Sequence, residues 1–295
     1  MTLRKSINRM LRTVTGYELR PAVSPRNGVA GQNVPVPARS KPPVAKPAPK
    51  PEPKPVPKSK PQLELPHDFD EATKDLIRAV KPRTMTSPEK LNALVNSVRY
   101  IVRHQIPGDI VECGVWRGGS MMAIARTLIE TGDTDRHLHL YDTFEGMSEP
   151  TEHDRRFDGK PAAEMLSTSS RTSGVWACAS LEDVQEGMRE SAYPADRIHY
   201  YKGKVEDTIP GHIPDRISIL RLDTDWYEST RHELKHLWPR LVPGGVLLLD
   251  DYGWWEGARQ AVDEWLEETQ LPLLLMRMDE GRVAVKPPAT WNHDL

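Results

Sequence analysis

From Asp109 onward the chain alternates short apolar runs with longer amphipathic stretches, and this alternation leaves few folds open. Residues 109–115, 137–143, 197–202, 217–223, 245–250, 273–278 and 282–286 read as strands. Residues 120–130, 181–190, 229–240 and 257–269 carry helical spacing between the earlier of them. Two further helices precede the first strand, over 70–80 and 87–104. Ser87 suits the cap of the second and Pro88 its first turn. Strands and helices in such alternation predict an α/β domain of Rossmann-like type, with a mostly parallel seven-stranded sheet and helices on both faces. Only Asp279-Glu280-Gly281 separates the last two runs, which predicts an antiparallel hairpin at one edge.

The rest of the chain bounds what this domain can do. At 295 residues there is room for one large core and spare sequence. The spare part lies first: residues 21–66 are rich in Pro and Lys and predict an extended linker, because proline removes backbone donors and too little apolar surface offsets chain entropy. Ahead of it, residues 1–20 space Leu3, Ile7, Met10, Leu11 and Val14 helically among Arg4, Lys5, Arg9 and Arg12, a basic amphipathic segment that could touch an anionic membrane or a protein partner. Residues 67–295 are then the folded domain. A net charge of -2 gives no basic face for nucleic acid. Two cysteines, Cys113 and Cys178, build no disulfide framework, and no apolar run is long enough to span a bilayer or to serve as an export signal. A cytoplasmic protein is the expectation.

In doubly wound sheets ligands bind beyond the carboxyl ends of the strands, so the residues after each apolar run carry the functional reading. After the first come Glu112-Cys113-Gly114-Val115-Trp116-Arg117-Gly118-Gly119-Ser120. The glycines let the backbone turn close to a ligand, and Glu112 offers a carboxylate to an ammonium group. The glycine spacing is not that of a dinucleotide or P-loop site. Asp142 ends the second run, where a carboxylate can accept hydrogen bonds from ribose hydroxyls; a turn or helix-cap role is the alternative. Two later runs end in Asp223-Thr224-Asp225 and Asp250-Asp251. Four carboxylates held together repel unless a cation neutralises them, and an all-oxygen set favours Mg²⁺ over Ca²⁺ or Mn²⁺. Solvated turn acids capping the following helices are the alternative.

These motifs, in order, resemble one family. Thr84-Met85-Thr86-Ser87-Pro88-Glu89, the run from Ile106-Pro107-Gly108-Asp109 through Glu112 to Ser120, Tyr141-Asp142-Thr143-Phe144-Glu145-Gly146-Met147, Asp223-Thr224-Asp225-Trp226-Tyr227-Glu228-Ser229-Thr230 and Gly244-Gly245-Val246-Leu247-Leu248-Leu249-Asp250-Asp251-Tyr252 are similar to the macrocin O-methyltransferase family, over about residues 80–290. The resemblance implies a class I methyltransferase fold, S-adenosylmethionine as methyl donor, Mg²⁺, a small-molecule hydroxyl acceptor that contains a sugar, and a homo-oligomer. It places Asp223, Asp250 and Asp251 on the metal and makes Asp225 the general base. It assigns Glu112 and the Gly114–Gly119 turn, with Gly114, Val115, Trp116 and Gly118, to the donor's methionine end and Asp142 to its ribose, sets Ser87 near the donor, and counts Phe144, Glu145 and Gly146 among the donor-binding residues. A metal-dependent hydrolase using the same acids, and a scaffold recruited through the basic tail, are the competing readings. Trp226, Trp254 and Trp255 flank the acids and could stack on a sugar or pack the core.

Overall fold

The structure, a computed structural model, describes residues 63–288. The amphipathic segment expected in residues 1–20, and the Pro/Lys-rich stretch as far as residue 62, lie outside those residues. Two helices lead in. α1 (Glu71–Val80) starts at Asp70, whose Oδ1 accepts the Thr73 N–H at 2.8 Å, and α2 (Pro88–Arg103) starts at Ser87, whose Oγ accepts the Lys90 N–H at 3.3 Å. The alternating part follows as β1 (Asp109–Cys113), α3 (Gly119–Thr131), β2 (Leu138–Asp142), α4 (Ala162–Thr168), α5 (Leu181–Glu190), β3 (Ile198–Lys202), the single turn α6 (Val205–Thr208), β4 (Ile217–Leu222), α7 (Tyr227–Leu237), β5 (Leu241–Leu249), α8 (Glu256–Thr269), β6 (Met276–Met278) and β7 (Gly281–Val285).

The seven strands form one sheet in the order β3-β2-β1-β4-β5-β7-β6. The first five are parallel, and the β6–β7 hairpin closes the edge with β7 antiparallel to both β5 and β6. Side chains alternate faces along each strand, which sorts the apolar residues into two cores. Ile110, Leu138, Leu140, Ile219, Val246 and Leu248 pack under α1, α2, α3 and α5. Val111, Cys113, Tyr141, Leu220, Leu222, Leu247 and Leu249 pack under α6, α7 and α8. β5 begins at Leu241, four residues before the sequence predicts, because a register shift against β4 accommodates Pro243 and Gly244 within the strand. α4, which the sequence does not predict, buries only Ala162, Met165 and Leu166 against Trp226, Trp255 and Ala258, a third and smaller core above the sheet. No helix among the described residues is long and apolar enough to cross a membrane.

The topology fixes where a ligand can sit. The chain runs from β1 outward to β3 and then returns on the other side of β1 as β4. Connections on the two sides therefore leave in opposite directions, and a crevice opens beyond the carboxyl ends of β1 and β4.

Candidate active site

A cavity of about 490 Å³ occupies that crevice, and every parallel strand delivers residues to its wall: Gly114 to Trp116 follow β1, Asp142 and Thr143 follow β2, residues 203–206 follow β3, Asp223 to Asp225 follow β4, and Asp250 and Asp251 follow β5. At the crossing of β1 and β4, Gly114 has φ +80, and a β-carbon there would overlap the carbonyl oxygen of Asp223. The glycine is thus what lets the two strand ends meet. Asp142 locks the turn from the other side. Its Oδ2 accepts the N–H groups of Val115 and Trp116 at 2.7 and 3.0 Å, and its Oδ1 accepts the N–H of Phe144 at 2.7 Å. Trp116, Phe144 and Asp225 all hold positive φ, at 46, 52 and 70, a strained conformation for side chains of this size or shape that clusters at ligand sites.

Behind the cavity lies a buried charge cluster built around Arg221 of β4. Its guanidinium bonds the Glu112 carboxylate, Asp223 Oδ2 at 2.8 Å, Asp250 Oδ1 at 2.6 Å and Thr86 Oγ1 at 2.9 Å. Lys90 of α2 adds a second cation, its Nζ 2.8 Å from Asp250 Oδ2 and 2.9 Å from the Asp250 carbonyl. Five carboxylates, those of Glu112, Asp223, Asp225, Asp250 and Asp251, therefore face two cations. The imbalance shows in their proton affinities. Burial would raise Asp250, but the charges of Arg221 and Lys90 hold it down at about 2. Burial, with the neighbouring Asp charges, lifts Asp223 and Asp251 well above the carboxylate range against the pull of Arg221 and Lys90. Burial and the charge of Asp223 push Asp225 up to about 7. Asp223, Asp225 and Asp251 can each direct one oxygen to a common point, all within 4.8 Å of one another, and Asp251 Oδ2 is buried without a hydrogen-bond partner.

The structure sorts the sequence-predicted residues into three groups. Gly114, Val115, Trp116, Asp142, Gly146, Asp223, Asp225, Asp250 and Asp251 all line the one cavity. Glu112 does not; its carboxylate is fully buried against Arg221, and burial pushes it up to about 7 despite that cation. Ser87, Gly118, Phe144 and Glu145 also stand outside the wall. Ser87 is engaged in capping α2, Gly118 occupies the left-handed position before α3, Phe144 packs in the core, and Glu145 pairs on the surface with Lys202 at 2.8 Å. In Ser87's place the cavity takes Thr84, Thr86 and Ser120, with the Ser120 hydroxyl 3.4 Å from that of Thr84 and 3.2 Å from that of Thr86. Lys90 is the other residue that sequence reasoning missed. Its helical position, one residue before the buried Leu91, is the only signal it gives, and burial of a lysine is rare enough to be read as strand or helix surface.

Opposite the donor-side turn, Trp254, Trp255, Arg156, Met165 and Met147 complete the wall. Trp255 Nε1–H donates to Asp225 Oδ1 at 2.9 Å. His153, in the segment above the cavity, instead stacks on Tyr227 and pairs its Nδ1 with Gln260 Oε1 at 3.1 Å.

A sheet of this order, with a glycine turn and a terminal carboxylate on one side of the switch point and an acid cluster on the other, has the fold of the class I methyltransferases. The chain belongs to the macrocin O-methyltransferase family: the family model for macrocin-O-methyltransferase (TylF) matches residues 60–286. It is thus an S-adenosylmethionine-dependent O-methyltransferase. Three relatives bear this out. The chain is 35% identical over 182 residues, 62% of this chain and 67% of the other, to the 8-demethyl-8-(2,3-dimethoxy-alpha-L-rhamnosyl)-tetracenomycin-C 4'-O-methyltransferase of Streptomyces olivaceus. It is 34% identical over 201 residues, 68% and 76%, to the mycinamicin III 3''-O-methyltransferase of Micromonospora griseorubida. To the demethyldecarbamoylnovobiocin O-methyltransferase of Streptomyces niveus it is 30% identical over 200 residues, 68% and 74%. Among solved structures, the O-methyltransferase NovP superposes with a TM-score of 0.61 at 29% identity, over 70% of this chain and 83% of that one. The calicheamicin methyltransferase CalS11 shares the fold at a TM-score of 0.50 and 16% identity, over 75% and 95%.

Proposed function

We propose that this enzyme methylates a sugar hydroxyl of a glycosylated small molecule, with Asp225 as general base and a divalent cation, Mg²⁺, held by Asp223, Asp250 and Asp251. The observation that supports the reading is the convergence of Asp223, Asp225 and Asp251 on one point of the cavity wall, with Asp250, already paired with Arg221 and Lys90, next to Asp251. All the donor atoms there are hard oxygens, one of them is buried and unpartnered, and the cluster is short of positive charge, all of which fit Mg²⁺. Asp250 is hydrogen-bonded through both oxygens, yet each keeps a further lone pair for a ligand. When bound, the cation supplies Lewis-acid stabilisation of the charge that develops on the acceptor oxygen.

The chain's own residues do the rest. The Gly114–Trp116 turn and the Thr84, Thr86 and Ser120 hydroxyls receive the methionine end of the donor, and Asp142 the ribose. Glu112 acts from behind by holding Arg221. An acceptor hydroxyl seated beside Asp225 gives its proton to that carboxylate as its oxygen attacks the methyl carbon, and the sulfonium leaves as a neutral thioether. Burial and the charge of Asp223 raise the proton affinity of Asp225, and a cation held beside it would lower that affinity again, so the carboxylate stays ionised and able to accept the proton. The sugar acceptor is supported by the reactions for which the three relatives are named and by the half-buried Trp254 in the wall.

The test is incubation of the enzyme with labelled S-adenosylmethionine, Mg²⁺ and candidate glycosides, read by mass spectrometry for a product heavier by one methyl group. Asp225→Asn is expected to bind S-adenosylhomocysteine as the parent does and to lose turnover by roughly 10²–10⁴-fold. Turnover that survives exhaustive chelation would remove the cation from the mechanism, and an active Asp225→Asn enzyme would remove the base.

A further inference from the structure

Asp225 ends a three-residue turn in a left-handed conformation, and nothing in its own backbone sets the rotation of its carboxylate. The charges of Asp223 and Asp250 oppose its ionisation, while the side chains of Asp251 and Trp255 bond to it. Among the described residues, the one side-chain N–H that reaches it belongs to Trp255. We propose that Trp255 is a positioning residue for methyl transfer, its indole N–H turning the Asp225 carboxylate toward the acceptor hydroxyl. The inference rests on Asp225 being the base.

Three observations support it. First, the chemistry suits the role: an indole N–H donates and never accepts, so it cannot take the acceptor's proton, and it brings no charge into a site that already holds several. With Oδ1 engaged by the indole, the carboxylate's rotation is fixed and its remaining lone pairs serve the hydroxyl. Second, the ring has no freedom to drift. Trp255 is only 6% exposed and meets Trp226, the residue after Asp225, edge to face at 5.0 Å, in the small core with Met165 and Ala258. Third, its backbone is where the wall segments meet. Trp255 N–H donates to the Asp251 carbonyl at 3.0 Å, and Trp255 bridges to Arg156, with Phe157 N–H to Trp254 O at 2.9 Å and Glu256 N–H to Arg155 O at 2.7 Å on either side. Asp154, fully buried at the start of that strap, accepts the Tyr227 N–H at 2.8 Å and so ties the strap to the turn that carries Asp225. The segment over the acceptor and the base are therefore joined through one indole.

The experiment replaces Trp255 by 3-benzothienylalanine, which keeps the ring and exchanges the N–H for sulfur, with Trp255→Phe as a second variant and Asp225→Asn as control. Loss of one directed hydrogen bond to a charged group is expected to lower kcat about 10- to 100-fold. Both KM values, the affinity for S-adenosylhomocysteine by calorimetry and the melting temperature of the benzothienyl enzyme are expected to stay at parent values. Without any substrate, the Trp255 indole N–H resonance in a ¹⁵N correlation spectrum should move in Asp225→Asn. A benzothienyl enzyme within twofold of the parent in kcat, or one whose lost turnover comes with lost donor binding or a lower melting temperature, overturns the inference, as does an indole resonance that ignores Asp225→Asn. If Asp225→Asn itself remains active, the base assignment fails; if it is inactive while the benzothienyl enzyme turns over normally, only the role of Trp255 fails.

Discussion

Arg221 shows how much of this site depends on a residue that does not line the cavity. It is 2% exposed and reaches three carboxylates. Removing one member of such a network leaves the others buried and unpaired, which is worse than never having buried them. Arg221→Met is therefore expected to lose roughly 3–5 kcal/mol of stability at neutral pH, read from urea denaturation. Asp223, Asp225, Asp250 and Asp251 were legible in the sequence because paired acids after two apolar runs are hard to explain otherwise. The partners that decide their charge were less so. Arg221, in a strand between Leu220 and Leu222, suggests from the sequence a pairing with a neighbouring acid, which it makes with Asp223, but not that it gathers three carboxylates, and Lys90 comes from a helix 160 residues away from Asp250. Glu112 reads from the sequence as a carboxylate for the donor's ammonium group, whereas the cation it faces is the Arg221 guanidinium behind the cavity.

At the level of elements, helix starts and strand ends carry the legible information and the connections do not. Asp70 begins α1 with hydrogen bonds to the Thr73 N–H and hydroxyl and to Arg99, and these hold its carboxyl at about 2. Its folded-state affinity for protons is thus below the unfolded one, so the stability it contributes is present above about pH 4 and is lost as pH falls through about 2. Asp70→Ala should cost about 1 kcal/mol near pH 7, with the gap between the two urea midpoints closing as the buffer approaches pH 2. β1 and β4 make a sharper prediction. Since a β-carbon on Gly114 collides with the Asp223 backbone, Gly114→Ala should push the two strand ends apart, abolish S-adenosylhomocysteine binding in calorimetry and lower the melting temperature. α4 escaped the sequence reading because three buried side chains in seven residues give no helical period, and β5 was cut short because Pro243 and Gly244 look like a turn until a register shift is seen to absorb them. Both misses have one cause: tertiary contacts overrode local preference.

For the whole molecule, the cavity gathers side chains from strands, helices and the β6–β7 turn, so its occupant should steady them together. Saturation with S-adenosylhomocysteine at about a hundred times its dissociation constant is expected to add about 2.7 kcal/mol of stability, which for a domain of this size raises the melting temperature by roughly 5–10 °C in a thermal scan. The reversed strand gives that statement a particular reach. β7 runs against β5, so the hairpin tip before it arrives at the rim where the parallel strands finish, and Glu280 there lines the cavity while its carbonyl holds the Gly253 N–H at 2.8 Å. The β6–β7 hairpin thus serves as the far bank of the pocket: a nascent chain cannot enclose its donor until the hairpin has been made, and proteolysis there would unroof the site while leaving Asp223, Asp225, Asp250 and Asp251 in place.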